Sequence, residues 1–167
     1  MTGVAPLLVV MGVSGSGKST IGSLLAERMG VPFLDSDDLH SESNVAKMAA
    51  GQPLTDDDRW PWLTAVGDAL AAASNTGLVV ACSALKRSYR EAIRQPAPQA
   101  RFVELDGSRG LLSERMDGRS DHFMPATLLD SQLATLESLA PDEPGFLVSI
   151  DAEPDEIVSE IAGRLQH

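Results

Sequence analysis

Residues 12–19 read Gly-Val-Ser-Gly-Ser-Gly-Lys-Ser, and few stretches this short limit a fold so tightly. Two glycines five positions apart, followed by Lys and Ser, fit the pattern of a phosphate-binding loop. Glycines at 12, 15 and 17 let the backbone turn sharply and aim several N–H groups at one point. Lys18 adds a mobile cation, Ser19 offers a hydroxyl to Mg²⁺, and a helix opening here points the positive end of its dipole at the phosphates. The flanks agree. Pro6 to Met11 is a short apolar run suited to a strand buried on both faces, and Ile21, Leu24, Leu25 and Met29 recur at helical spacing before Gly30 and Pro32. Gly12, Val13, Ser14, Gly15, Ser16, Gly17, Lys18, Ser19 and Thr20 are therefore the expected cradle of a nucleoside triphosphate.

Beyond the loop, strand and helix signals alternate without repeats or low-complexity tracts. Val31 to Leu34, Gly77 to Cys82, Arg101 to Leu105 and Phe146 to Ile150 read as further strands. Apolar stripes at Leu63, Val66 and Leu70, at Leu129, Leu133, Leu136 and Ala140, and at Ile157, Ile161 and Leu165 read as helices. The pattern predicts a three-layer α/β P-loop NTPase fold: a five-stranded parallel sheet with helices on both faces, in a single domain over 1–167. In such folds ligands bind beyond the carboxyl ends of the strands, so the polar residues there carry the chemistry.

Composition narrows the class of ligand. With 24 acidic and 13 basic side chains the net charge is −11, which argues against nucleic acid, whose phosphates demand a basic surface. Cations gathered in so acidic a chain suggest small anionic ligands: Lys86, Arg87, Arg90 and Arg94 form one group and Arg109, Arg115 and Arg119 another. Arg87, Arg94 and Arg109 read as solvated helix faces. The lone Cys82 excludes an internal disulfide and sits in an apolar run, as a buried structural thiol does. No segment is long enough to span a membrane, and the N-terminal apolar stretch lacks the basic flank of a signal peptide, so a cytoplasmic location is expected.

A second constellation follows the second strand. Asp35 and Asp37 stand at i and i+2, where one carboxylate can sit near Mg²⁺ through water and the other beside a hydroxyl that attacks the γ-phosphate. Asp38 reads as a helix cap, and His40 lies close enough to touch a substrate. Thr55 and Asp58 suit a capping box, with Asp56 and Asp57 as structural acids of the first turn. Arg59 runs against the dipole there and needs another reason, for which substrate binding is a candidate. Arg90 lies one helical turn beyond Lys86, and residues i and i+4 share a helix face, so the two cations are expected to converge on one anion. Residues 115–125, with Arg115, Arg119, His122 and Pro125, fit a small lid that closes over the phosphates and brings Arg119 to the transferring phosphoryl group.

Several segments together resemble the small bacterial-type gluconokinases. They are the phosphate loop, Asp37 to His40, Asn44-Val-Ala-Lys-Met-Ala-Ala-Gly51, Pro53-Leu-Thr-Asp-Asp-Asp-Arg59, Cys82-Ser-Ala-Leu-Lys86-Arg-Ser-Tyr-Arg90, His122-Phe-Met and Ser131-Gln132 through Leu136-Glu137. The likeness runs in one order from about residue 7 to 137. Ser36, Asp121 and Leu133 depart from it. The resemblance implies transfer of the γ-phosphate of ATP, with Mg²⁺, to the 6-hydroxyl of D-gluconate, in a homodimer. The loop pattern and the spacing of the residues themselves give Lys18, Asp37 and Arg119 as the expected catalytic residues, Arg115 on the nucleotide, and Ser19 with Asp35 on the metal.

Gluconate carries a carboxylate at one end and a primary alcohol at the other, so it calls for cations, hydrogen-bonding side chains and a base beside the alcohol. Arg59, Lys86 and Arg90 are the expected carboxylate partners. His40, Ser83 and His122 are the expected hydroxyl contacts, with Lys47 or Gln132, and Asp37 is expected to orient and deprotonate the 6-hydroxyl. Shikimate kinase, or a similar P-loop kinase for another small hydroxy acid, is the alternative. A regulatory GTPase is disfavoured because no Asn-Lys-x-Asp segment occurs, and a binder without turnover needs no acceptor site.

Overall fold

A computed structural model describes residues 5–13, 15–52, 54–117 and 126–165, with the side chains of 115–117 and 126–128 left aside. Five strands, β1 (Leu7–Met11), β2 (Phe33–Asp35), β3 (Leu78–Ala81), β4 (Arg101–Asp106) and β5 (Gly145–Ser149), form one parallel sheet in the order β2-β3-β1-β4-β5. The helices are α1 (Lys18–Met29), α2 (Glu42–Ala49), α3 (Asp56–Ala72), α4 (Arg87–Arg94), α5 (Arg109–Asp117), α6 (Ala126–Thr135) and α7 (Pro154–Leu165). The predicted fold class holds.

Central β1 is buried throughout. Because successive side chains alternate across a strand, Leu8 and Val10 join Ile21, Leu25, Ile157 and Ile161 of α1 and α7 on one face. Leu7, Val9 and Met11 join Leu63, Val66, Leu70 and Ile93 of α3 and α4 on the other. The approach of α3 to α4 is close at Gly67, where an added Cβ would lie 2.4 Å from the Ile93 carbonyl oxygen. Both faces of β1 being sealed, the loop that follows it leaves the sheet at its midline, with β3 on one side and β4 on the other.

Two boundaries moved for identifiable reasons. Strand β2 starts at Phe33, not at Val31, because the Val31 amide closes the end of α1 on the Ala26 carbonyl (3.0 Å) and Pro32 has no amide to give. The stripe Leu129, Leu133, Leu136 and Ala140 does not lie on one helix. Helix α6 ends at Thr135, and beyond it the Glu137 amide turns to the Leu85 carbonyl (2.7 Å) while Leu139 N and Ser138 Oγ bond the fully buried Glu104 carboxylate at 2.8 and 2.9 Å. Tertiary partners thus claim the donors a longer helix would have used.

Candidate active site

The phosphate loop lies where β1 hands over to α1. Gly12 has φ 153°, and a Cβ there would meet Ser16 Oγ at 2.8 Å and the Leu105 carbonyl oxygen at 3.2 Å. Gly17 takes a left-handed conformation as the N-cap of α1 and supplies no side chain to the helix amides, so the first turn presents bare N–H groups. The buried Ser16 Oγ has no hydrogen-bond partner among the described residues. Lys18 Nζ folds back onto the Val13 carbonyl oxygen at 3.2 Å. An uncapped helix start, an orphaned hydroxyl and a cation bent over the loop together form a receptor for phosphate oxygens. Thr20 is exposed on α1, and Ser14 lies outside the described residues.

Asp35, at the end of β2, binds the loop and the acceptor side at once. Its Oδ2 accepts from Ser19 Oγ at 3.0 Å, and its Oδ1 caps the 3₁₀ turn Ser36–Leu39 by accepting from Asp37 N at 3.0 Å. The residues expected at the metal are thus in contact, as hard oxygen donors of the kind Mg²⁺ selects. Asp37 reaches solvent, yet its carboxyl is raised above the ordinary value, first by loss of hydration against the surrounding protein and then by the Asp35 charge; His40 and Lys18 oppose the rise.

His40 stacks on Trp62, ring centroids 4.2 Å apart and planes at 15°. Its Nδ1 faces Asn44 Nδ2 at 3.2 Å. Asn44 can only donate there, which makes Nδ1 the acceptor and leaves Nε2–H as a donor on a neutral ring. Partial burial lowers the His40 pKa, in keeping with that form. Trp62 is fixed in turn through Nε1 to the Ser36 carbonyl (2.7 Å), and Asn44 through the Asp58 carbonyl (2.9 Å).

A cation cluster forms where the starts of α3 and α4 meet. Tyr89 donates its hydroxyl to Asp56 Oδ1 at 2.6 Å, and Arg59 donates from one terminal nitrogen to both the Asp56 carboxylate and the Tyr89 oxygen at 3.3 Å. Lys86 Nζ stands 3.8 Å from the other Asp56 oxygen. The Tyr89 hydrogen bond, followed by the two cations, holds the Asp56 carboxyl below its usual range. Arg59 and Lys86, two of the expected carboxylate partners, are therefore brought together, and Asp56, read from sequence as a helix-start acid, lies between them.

The expectations for Arg90, and for its convergence with Lys86, are corrected, and the remaining candidates take the following places. Arg90 does not face a substrate: its side chain is 1% exposed, its Nε and a terminal nitrogen bind Glu143 at 2.7 and 2.9 Å, and the other terminal nitrogen holds the Ala84 carbonyl at 2.9 Å. Helix α4 starts only at Arg87, with Lys86 as its N-cap in an extended conformation, so the two cations do not share a helix face. Lys47 is bound to Asp58 at 2.8 and 2.9 Å, which ties it to the capping box of Thr55 and Asp58 that the structure forms as predicted. Ser83 is half-buried behind β3, its carbonyl facing Gly12 N at 3.4 Å. Gln132 lies half-buried on α6. Arg119 and His122 lie outside the described residues, as does the Arg115 side chain. Cys82 is buried and its thiol is pushed up to about 11 by desolvation, which makes it inert at neutral pH.

Sequence reasoning assigned no role to Tyr89, Asn44, Glu104 or Glu143. Tyr89 sits between Lys86 and Arg90 in a segment already singled out, so its hydroxyl was the one signal available. Buried Glu104 had none.

Comparison with known proteins agrees with this geometry. The AAA domain family matches residues 7–139. The gluconokinase of Gluconobacter oxydans is 50% identical, over 95% of this chain and 90% of its own. The crystal structure of a gluconokinase from Sinorhizobium meliloti superposes with a TM-score of 0.88 at 49% identity, covering 99% of this chain and 94% of that one. The shikimate kinase of Aquifex aeolicus, 19% identical with a TM-score of 0.58 over 95% of both chains, shares the fold alone. A parallel sheet, a bare helix start at its midline and a carboxylate pair beside it define a P-loop kinase of small molecules. Within that class, identity of this level over nearly the whole chain decides the matter: the chain belongs to the gluconokinase family.

Proposed function

We propose that the chain transfers the γ-phosphate of ATP to the 6-hydroxyl of D-gluconate, giving 6-phospho-D-gluconate and ADP. The observation that carries this reading is the meeting of two cations, Arg59 and Lys86, whose donors Asp56 leaves unsaturated among the described residues, in a chain whose first strand hands over to an uncapped phosphate loop. A neutral sugar would leave those cations without purpose, and gluconate supplies the anion.

In the proposed mechanism, the amides of residues 12–19 and Lys18 hold the β- and γ-phosphates. Ser19 and Asp35 are the residues that would hold Mg²⁺, which when bound offsets charge on the phosphate oxygens. Arg59 and Lys86 take the gluconate carboxylate, and His40 Nε2–H and Ser83 hold hydroxyls along the chain of the sugar acid. Asp37 accepts the proton of the 6-hydroxyl as its oxygen bonds to phosphorus and the bond to ADP breaks. Arg115, Arg119 and His122 are assigned to a lid over 115–125 on sequence grounds, with Arg119 at the transferring group. We also propose a cytoplasmic homodimer that does not bind nucleic acid. No described helix is long and apolar enough to cross a membrane, and light scattering in solution reads the dimer directly.

ADP formation with ATP and Mg²⁺ across D-gluconate, shikimate, glucose and nucleoside monophosphates tests the substrate. Turnover with gluconate far above the others is expected, and turnover with shikimate instead would overturn the assignment. The pH profile tests the base. Since the carboxyl of Asp37 is raised, activity is present above its pKa and falls as pH drops through a value higher than the ordinary carboxylate value of about 3.9.

A further inference from the structure

We infer that Asp56 and Tyr89 are positioning residues that hold Arg59 and Lys86 as a two-pronged receptor for a carboxylate, and that they set the preference for an acidic over a neutral acceptor. The inference deepens the proposed activity and rests on it.

The cluster holds two cations and one carboxylate, so one positive charge is left uncompensated within it. Asp56 divides its two oxygens: Oδ1 takes Arg59 and the Tyr89 hydroxyl, and Oδ2 faces Lys86. Neither cation is saturated by this. Arg59 uses one terminal nitrogen of its fork, at 3.3 Å, which leaves the edge formed by its other nitrogens open among the described residues. Lys86, at 3.8 Å, lies beyond hydrogen-bond distance of Asp56. A bidentate Arg59–Asp56 pair would have consumed the fork; this one-point contact fixes its direction and keeps its donors.

Stability does not account for the arrangement. The side chains of Asp56, Arg59 and Lys86 are 45%, 32% and 35% exposed, a setting in which ion pairs contribute little. The capping of α3 is already complete through Thr55 and Asp58. Tyr89 buries its ring and turns its hydroxyl outward into the cluster. Its face also receives both cations, at 5.7 Å for Arg59 and 5.5 Å for Lys86. Packing alone would be served by Phe. The hydroxyl adds a second link between Arg59 and Asp56 beside their direct contact: it accepts from the guanidinium and donates to the carboxylate.

Tyr89→Phe is the test, because it leaves the ring and every charge in place. For wild type, Tyr89→Phe, Arg59→Lys and the double variant, kcat and KM would be measured with D-gluconate and with the neutral polyol glucitol. Loss of one hydrogen bond to a charged group is about 1.5 kcal/mol or more, hence about a tenfold rise in gluconate KM for Tyr89→Phe. The KM for ATP and the kcat should stay within about twofold, and the gluconate-to-glucitol ratio of kcat/KM should fall about tenfold. Arg59→Lys removes the fork through which Tyr89 acts, so the double variant should be no worse than Arg59→Lys alone. An unchanged gluconate-to-glucitol ratio in Tyr89→Phe, a general fall in kcat with both acceptors, or simple additivity in the double variant would each overturn the inference. Failure of the wild type to form ADP from gluconate would instead strike the proposed activity. Calorimetric titration of the same four proteins with gluconate would then still read the receptor, with weaker binding expected in Tyr89→Phe and equal binding counting against it.

Discussion

Arg59 and Arg90 sit on adjacent helices, each beside an acidic partner, and they do opposite things. Arg90 is sealed, with bidentate bonds to Glu143 and a third to the Ala84 carbonyl. Arg59 is a third exposed and held at one corner. On the proposed reading the difference separates a structural cation from a receptor by one property, the saturation of its donors. Arg90 still matters to the segment that carries Lys86, because the carbonyl it holds belongs to Ala84, which at φ 43° is the sole non-glycine residue with positive φ among those described. That strained residue sits between Ser83 and Lys86, so Arg90 braces the loop that Arg59 works with.

The largest expected effect probes the sealed side. Arg90→Ala leaves Glu143 buried without its partner and should cost about 3–5 kcal/mol of stability in denaturant unfolding. Pairing Arg90→Met with Glu143→Leu should recover most of it. If Arg90→Ala kept its stability and lost gluconate affinity instead, the contrast with Arg59 would be inverted. Next, Arg59→Ala should leave the unfolding midpoint nearly unchanged and raise gluconate KM about 30-fold or more, the size of a truncated desolvated charge pair of about 2–5 kcal/mol, with ATP binding unaffected in titration. A smaller effect concerns Lys47. Together with the hydrogen bonds of Thr55 it holds Asp58 at a pKa of about 2, well below its unfolded value, so these contacts stabilise the fold above about pH 4 and that stabilisation is lost as pH falls through 2. Lys47→Met should lower Tm at pH 7 and by much less at pH 2, where Asp58 is about half protonated, and an equal drop at both would show that the ion pair is not the cause. Smallest of all, Asp142→Asn removes an exposed partner of Arg87 and should shift neither Tm nor kinetics measurably.

Much of this was legible in the letters. The phosphate loop, the strand ends at Asp35 and Ser83, the capping box at Thr55 and the parallel sheet all follow from local rules, where spacing fixes geometry within a few residues. The role of Arg90 was not legible, because its partner lies 53 residues away and the spacing to Lys86 pointed to a helix that starts one residue too late to contain both. Asp56 misled for a related reason. An acid in the first turn of a helix satisfies the dipole wherever its side chain points, so the local rule was met and the cross-helix contact to Tyr89 stayed hidden. The end of α6 was set by Glu104, a buried carboxylate on β4 for which a linear pattern offers no sign.

The strand order carries one more consequence. With β1 at the midline, β2 and β3 lie to one side of the phosphate loop and β4 and β5 to the other, so the proposed acceptor residues from Asp37 to Lys86 all belong to the segments that follow β2 and β3 or lie between them. On the proposed reading, nucleotide chemistry and acceptor choice occupy separate ground, joined among the described residues by Asp35, which accepts from Ser19, and by the Ser83 carbonyl, which faces Gly12 N. A new sugar acid could be accommodated by rewriting α2, α3 and the start of α4 while the phosphate engine is left untouched.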